Sequence, residues 1–147
     1  MEKGKIIEHV RLKLLEKENV LLDQEAIIMS SMEEETKSSV GDKYETTRAL
    51  LHAELDKVAV RRSSIQETKK TLSLITNTEC QHVTFGALVE TNLGVFLIGP
   101  SIGKINVENK AIMCISVKAP IARAMWEKGI GSTISFKQRL IEIVAVC

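Results

Sequence analysis

The sequence predicts an α+β protein in which two long helices come first and a small domain of strands follows. Between Lys5 and Val40, and again between Asp42 and Phe85, the chain has no glycine or proline. Helices can therefore run through both segments without interruption. Six of the eight glycines and both prolines lie after residue 85, where short β-branched runs alternate with turn residues, as in a sheet.

Each helical segment carries an apolar residue at every seventh position. Such a repeat keeps one seam facing a partner helix, and a short connection makes two helices of similar length antiparallel neighbours. We therefore expect an antiparallel helical hairpin, a coiled coil, over residues 1–76, with its tip near residues 37–45. The first repeat consists of Ile7, Leu14, Leu21 and Ile28, and the second of Tyr44, Leu51, Val58, Ile65 and Leu72.

Residues 77–147 are predicted to form antiparallel strands packed on one helix. Pro120 suits the first position of that helix and Gly129 its end. Its inner face is expected to contain Ile121, Ala124 and Met125. The predicted strands are His82–Thr91, Gly94–Ile98, Lys104–Val107, Ala111–Val117, Thr133–Phe136 and Leu140–Val146.

Composition argues against several classes of protein. The formal net charge is +1 and the charges alternate in sign, so direct, sequence-specific DNA binding is a poor expectation. Three cysteines without a C-x-x-C pair indicate neither a disulfide framework nor a zinc site. No apolar run resembles a signal peptide or a membrane span. We expect a cytoplasmic protein with no membrane partner.

Acidic residues gather at the predicted tip of the hairpin. Asp42 and Glu45 are three residues apart, which puts both carboxylates on one face of a helix. Two such carboxylates suit a hydrated Mg²⁺ that also holds waters and phosphates. Acidic residues also favour a helix N-terminus because of its macrodipole. The tip alone leaves both interpretations open.

Three runs in the second half resemble a known family when taken together. Residues 115–124 read I-S-V-K-A-P-I-A-R-A, residues 83–89 read V-T-F-G-A-L-V, and residues 96–99 read F-L-I-G. In this order they are similar to the signature runs of the Gre-type transcript cleavage factors of bacterial RNA polymerase. The helical pair ahead of them is similar to that family's N-terminal domain, so the resemblance covers the whole chain.

The resemblance implies an accessory transcription elongation factor that is not an enzyme by itself. A coiled coil would enter the secondary channel of RNA polymerase, and an FKBP-like domain would bind the channel rim. Asp42 and Glu45 would help to hold a Mg²⁺ at the polymerase active centre, where a backtracked RNA 3′ end is hydrolysed. The factor would have no cofactor of its own. Its partner-binding residues would be Ser116, Pro120, Ile121 and Arg123.

Alternative functions follow from two features of the sequence. If Tyr44 is aligned with the tyrosine of the family's tip, Lys37 and Val40 take the acidic positions. The chain would then be a secondary-channel regulator or antagonist that docks without cleavage. An FKBP-like prolyl isomerase or chaperone with a dimerisation arm is a further alternative. Its pocket would depend on a few aromatic residues, which are Phe85, Phe96, Trp126 and Phe136.

Overall fold

The computed structural model describes residues 2–37 and 41–147 and shows an α+β chain, as predicted. Residues 38–40 of the predicted tip lie outside the described residues, as do the side chains of residues 35–37, 42 and 43. The elements are α1 (Lys3–Lys37), α2 (Gly41–Ser73), β1 (Leu88–Thr91), β2 (Gly94–Ile98), β3 (Gly103–Val107), β4 (Lys110–Ile115), α3 (Pro120–Met125), β5 (Thr133–Phe136) and β6 (Arg139–Val146).

The chain divides into two compact units. One contains Met1–Arg11 together with Thr68–Cys147, and the other contains Leu12–Glu67. Helices α1 and α2 therefore each contribute residues to both units. The predicted division into residues 1–76 and 77–147 follows element type and stays a prediction. No helix of the described ranges is long and apolar enough to cross a lipid bilayer.

The second unit is a pair of antiparallel helices. Leu21 and Ile65 border one hollow between the helices, Ile28 and Val58 border the next, and Met32 and Leu55 border a third. Residue numbers rise along α1 while they fall along α2, so the two helices run in opposite directions. The predicted hairpin is confirmed.

Charged residues occupy part of the seam between α1 and α2. Leu14, Leu21 and Val58 are buried, whereas Glu25 and Arg62 are about one-third exposed and pair at 2.6 Å. Because water still reaches this ion pair, we assign it at most about 1 kcal/mol of stabilisation. The seam is apolar at intervals only.

The six strands form one sheet in the order β3-β4-β2-β1-β6-β5. Four of its pairs are antiparallel, as predicted, but β2 and β4 are parallel. Between β2 and β3 the chain passes over one strand position of the sheet. It returns through a tight β3–β4 hairpin, in which Glu108 and Asn109 both have positive φ, as in a type I′ turn. β4 therefore fills the position beside β2 and runs parallel to it.

Helix α3 packs on one face of the sheet. Ala122 and Met125 of α3 are buried in a cluster with residues of β1, β2 and β6, including Val89, Ile98 and Ile141. The predicted inner face is right for Met125 and for the partly buried Ile121, but Ala122 is buried where Ala124 was predicted. The helix ends at Met125, before Gly129 is reached, because Trp126 has an extended ψ of 133°. Glu127 follows in a left-handed conformation (φ 61°).

Lys3 is the buried charged residue among those described, with 3% of its surface exposed. Its Nζ donates to the carbonyl oxygens of Thr78 (3.0 Å) and Cys147 (3.3 Å) and lies 3.7 Å from Cys80 Sγ. A buried ammonium group is tolerated only when hydrogen bonds replace its water. Lys3 therefore joins the start of α1 to two later segments of the first unit.

We predict that Lys3→Met lowers the free energy of unfolding of the first unit by about 1 kcal/mol or more, because it removes two part-buried hydrogen bonds to carbonyl groups. Urea titration followed by the fluorescence of Trp126, the single tryptophan, measures this. Lys17→Met is the control, since Lys17 is an exposed lysine of the same helix. Equal free energies of unfolding for the two variants would contradict the role given to Lys3.

Candidate functional site

The connection from β4 to α3 forms a tight turn on the surface of the first unit. The Ser116 carbonyl accepts the Ala119 N–H (3.0 Å), and the Ser116 hydroxyl accepts the Lys118 N–H (3.1 Å). Pro120 then begins α3, where its fixed φ fits the first helical position. The turn leaves Val117 partly buried against the core.

Backbone hydrogen bonds bring Trp126 next to the segment before β1. The Val83 N–H donates to the Lys128 carbonyl (2.8 Å), and the Glu127 N–H donates to the Val83 carbonyl (2.8 Å). The left-handed conformation of Glu127 lets the chain reverse at this point. The indole of Trp126 is held at the surface, with 37% of the residue exposed.

Phe85 is held by a glycine of the β2 end. A Cβ on Gly99 would lie 3.1 Å from both Phe85 Cε2 and Ile75 Cδ1. Gly99 also has a φ of 149°, which side-chain-bearing residues rarely adopt. The missing side chain at Gly99 therefore makes the space in which the Phe85 ring lies.

These residues line a surface pocket of about 490 Å³, formed by Phe85, Val117, Arg123 and Trp126. Three of its walls are apolar and the fourth carries a guanidinium group. Apolar pockets with one or two well-placed polar groups are the usual form of a binding site. The guanidinium is a bidentate donor for a carboxylate. The pocket suits an apolar or aromatic side chain that lies next to an acidic group.

The structure places the four predicted partner-binding residues in different roles. Arg123 lines the pocket, Ser116 forms the preceding turn, and exposed Pro120 begins α3. Ile121 is partly buried and packs against the core. Phe85 and Trp126 were not among the predicted partner-binding residues. The signal available for Phe85 was the F-G pair at residues 85 and 86.

The described part of the tip offers one of the two predicted carboxylates. Asp42 lies in the first turn of α2, but its side chain lies outside the described residues, and Glu45 is exposed. Tyr44 is half-buried, and its hydroxyl accepts a hydrogen bond from Arg48 Nη1 (2.8 Å). Carboxylate oxygens suit Mg²⁺, so the one described member of the pair has the right chemistry for a shared ion.

Within residues 2–37 and 41–147, no group of three or more His, Cys, Asp or Glu side chains is placed to hold a metal ion. Cys80, Cys114 and Cys147 form no disulfide bond. Near the start of α1, exposed Glu8 and Arg11 form an ion pair, and the Arg11 hydrogen bond lowers the pKa of Glu8. These groups lie outside the pocket described above.

We predict that Met125→Ala and Trp126→Ala have different effects on stability, although the residues are neighbours. Met125 is fully buried, so its truncation should cost about 3 kcal/mol of unfolding free energy through the cavity it leaves. Trp126→Ala should cost about 1 kcal/mol or less, because the indole lines a surface pocket. Urea unfolding followed by circular dichroism measures both. Equal losses would show that Trp126 is a packing residue.

Comparisons with known proteins do not identify a family for this chain. No protein-family model matches the sequence, and no curated protein matches it. The chain is similar to a solved structure described as "Structure of the transcription factor Gfh1", with 15% sequence identity, a TM-score of 0.35, and coverage of 91% of this chain and 90% of that chain. A likeness at this level carries no information about function.

Proposed function

We propose that this chain is an accessory factor of bacterial RNA polymerase that docks through the pocket of the first unit and inserts its helical hairpin into the secondary channel. The observation that carries the proposal is the position of residues 115–124. This run, which resembles the Gre-type signature, leads through the turn into α3 and supplies two pocket residues, Val117 and Arg123. A partner segment with an apolar side chain and a carboxylate would fit there.

The length of the two helices supports the proposed insertion of the hairpin into the secondary channel. Helices α1 and α2 contain 35 and 33 residues, and at 1.5 Å per residue each extends about 50 Å. Helices of this length carry a few side chains far from their starting point. The side chains proposed to act there are Asp42 and Glu45.

The proposed chemistry is hydrolysis of a backtracked RNA by the polymerase itself. Asp42 and Glu45 would hold a Mg²⁺ together with polymerase groups, and the ion would activate water and stabilise the leaving oxygen. The factor would orient that ion by its carboxylates and contact the RNA 3′ end only indirectly. It would supply no cofactor of its own.

We predict that the chain releases short 3′ fragments from purified, backtracked polymerase, and that Asp42→Ala with Glu45→Ala reduces the rate about tenfold or more. The double variant should still compete with a known cleavage factor for the polymerase, since docking is assigned to the other unit. Glu54→Ala is the control, because Glu54 is an exposed acid of α2 paired with Lys57. Equal cleavage by native chain and double variant would exclude the tip assignment.

A regulator that docks without cleavage is a second candidate, and the environment of Tyr44 favours it. Arg48 donates to the Tyr44 hydroxyl one turn into α2, so the tyrosine on which the alternative alignment depends is held within the helix. That alignment puts Lys37 and Val40 in place of the two carboxylates. Competition for polymerase with no RNA fragments, from the native chain, would establish this candidate in place of the first.

The aromatic pocket favours a third candidate, a prolyl isomerase. Phe85 and Trp126 line one pocket, as such an activity needs, whereas Phe96 is buried in the core. Under the leading proposal the chain leaves the isomerisation rate of a proline peptide unchanged. Catalysis that the native chain shows and Trp126→Ala lacks would assign the pocket to isomerisation instead.

A further inference from the structure

Helix α1 carries a second apolar stripe that the hairpin does not cover. Residues 14, 21 and 28 face α2, and each is followed directly by a member of the other stripe. Since an α-helix turns about 100° per residue, this outer stripe lies about 100° round the helix from the hairpin seam. The outer stripe consists of Leu12, Leu15, Asn19, Leu22, Ala26 and Met29.

The outer stripe is exposed over its whole length. The exposed fractions are 53% for Leu12, 44% for Leu15, 39% for Leu22 and 52% for Met29. Asn19 and Ala26, which complete it, are exposed as well. Apart from Asn19 the stripe is apolar, and exposed apolar residues gathered on one side of a helix favour an interaction surface.

The spacing of the outer stripe is that of a coiled-coil seam. Its members follow one another at alternating intervals of three and four residues, which are the a and d positions of a heptad. Leucines and a methionine occupy the d positions, 15, 22 and 29, and the a positions are Leu12, Asn19 and Ala26. The partner that fits such a seam is another helix with the same repeat.

We propose that the partner is a second copy of this chain, with the two α1 helices packed in parallel along the outer stripe. Asn19 favours a second copy of the chain over a partner helix that is apolar at this position. A lone asparagine at an a position is costly against an apolar partner, but two asparagines in one layer can bond to each other. A parallel, in-register pair of identical helices puts Asn19 opposite Asn19, with leucine layers at 15 and 22 on both sides.

Charges beside the outer stripe are balanced in the parallel pair. The residue before each a position of one copy approaches the residue after the next d position of the other, so Arg11 lies near Glu16 and Glu18 near Asp23. The first contact attracts and the second repels. Dimerisation should therefore depend only weakly on salt.

Sedimentation equilibrium of the full chain, without polymerase, tests the proposal independently of the proposed function. The mass should rise with concentration from 16.3 kDa toward twice that value, at concentrations up to roughly 500 µM for a weak pair. Leu15→Glu with Leu22→Glu should raise the dissociation constant about 100-fold or more. Val20→Glu with Ile27→Glu is the matched control, because both residues are exposed on the other side of the hairpin seam, and it should leave the constant unchanged.

Substitutions at Asn19 give a second readout that does not depend on the leucines. Asn19→Val should tighten the dimer about tenfold, since it exchanges a polar layer for an apolar one. Asn19→Lys should weaken it about tenfold or more, since it places two like charges in one layer. A chain that stays monomeric at all concentrations, or equal effects of Asn19→Val and Asn19→Lys, would overturn the proposal.

Discussion

The burial of the Lys3 ammonium group is the interaction on which the first unit depends. Its two acceptors belong to the residues after α2 and to the residue after β6. The Cys147 carbonyl also accepts the Leu88 N–H at the start of β1 (2.9 Å). One side chain thus satisfies acceptors on segments that are distant in sequence, and the desolvation of its charge is offset only when all of them are in place. These hydrogen bonds add to the apolar cluster that holds α3 on the sheet.

The pocket depends on backbone contacts outside the regular elements. Trp126 caps the end of α3, where its N–H donates to the Arg123 carbonyl (3.3 Å), and the pairing of Val83 with Lys128 holds the next residues beside the segment before β1. Phe85 occupies the space left by the missing side chain of Gly99. The two rings are thus placed on one pocket by different segments of the chain.

Local patterns in the sequence were sufficient for most of the elements, and long-range pairing was not. The seven-residue repeat predicted both helices, and turn residues predicted five of the six strands to within two residues of their observed bounds. The first strand was predicted from His82 but begins at Leu88. The parallel pairing of β2 with β4 was missed, because nothing near either strand records which neighbour it will have. The repeat also predicted a single seam on α1, although leucines at 15 and 22 stand directly beside it. Pairs of adjacent apolar residues at heptad spacing are the signal for a second stripe. The pocket was not predicted because its lining residues belong to segments that are separate in the sequence and adjacent only in the folded chain.

Docking to RNA polymerase through the pocket is the central element of the proposed function. The most direct measurement is the affinity of the native chain, Arg123→Glu and Arg139→Glu for purified bacterial RNA polymerase. Both arginines are exposed, so neither change should unfold the chain, but only Arg123 lines the pocket. The native chain and the Arg139 variant should bind with equal affinity. The affinity of the Arg123 variant should be at least about tenfold lower. Absence of binding by the native chain, or equal affinities for all three, would contradict the proposed docking.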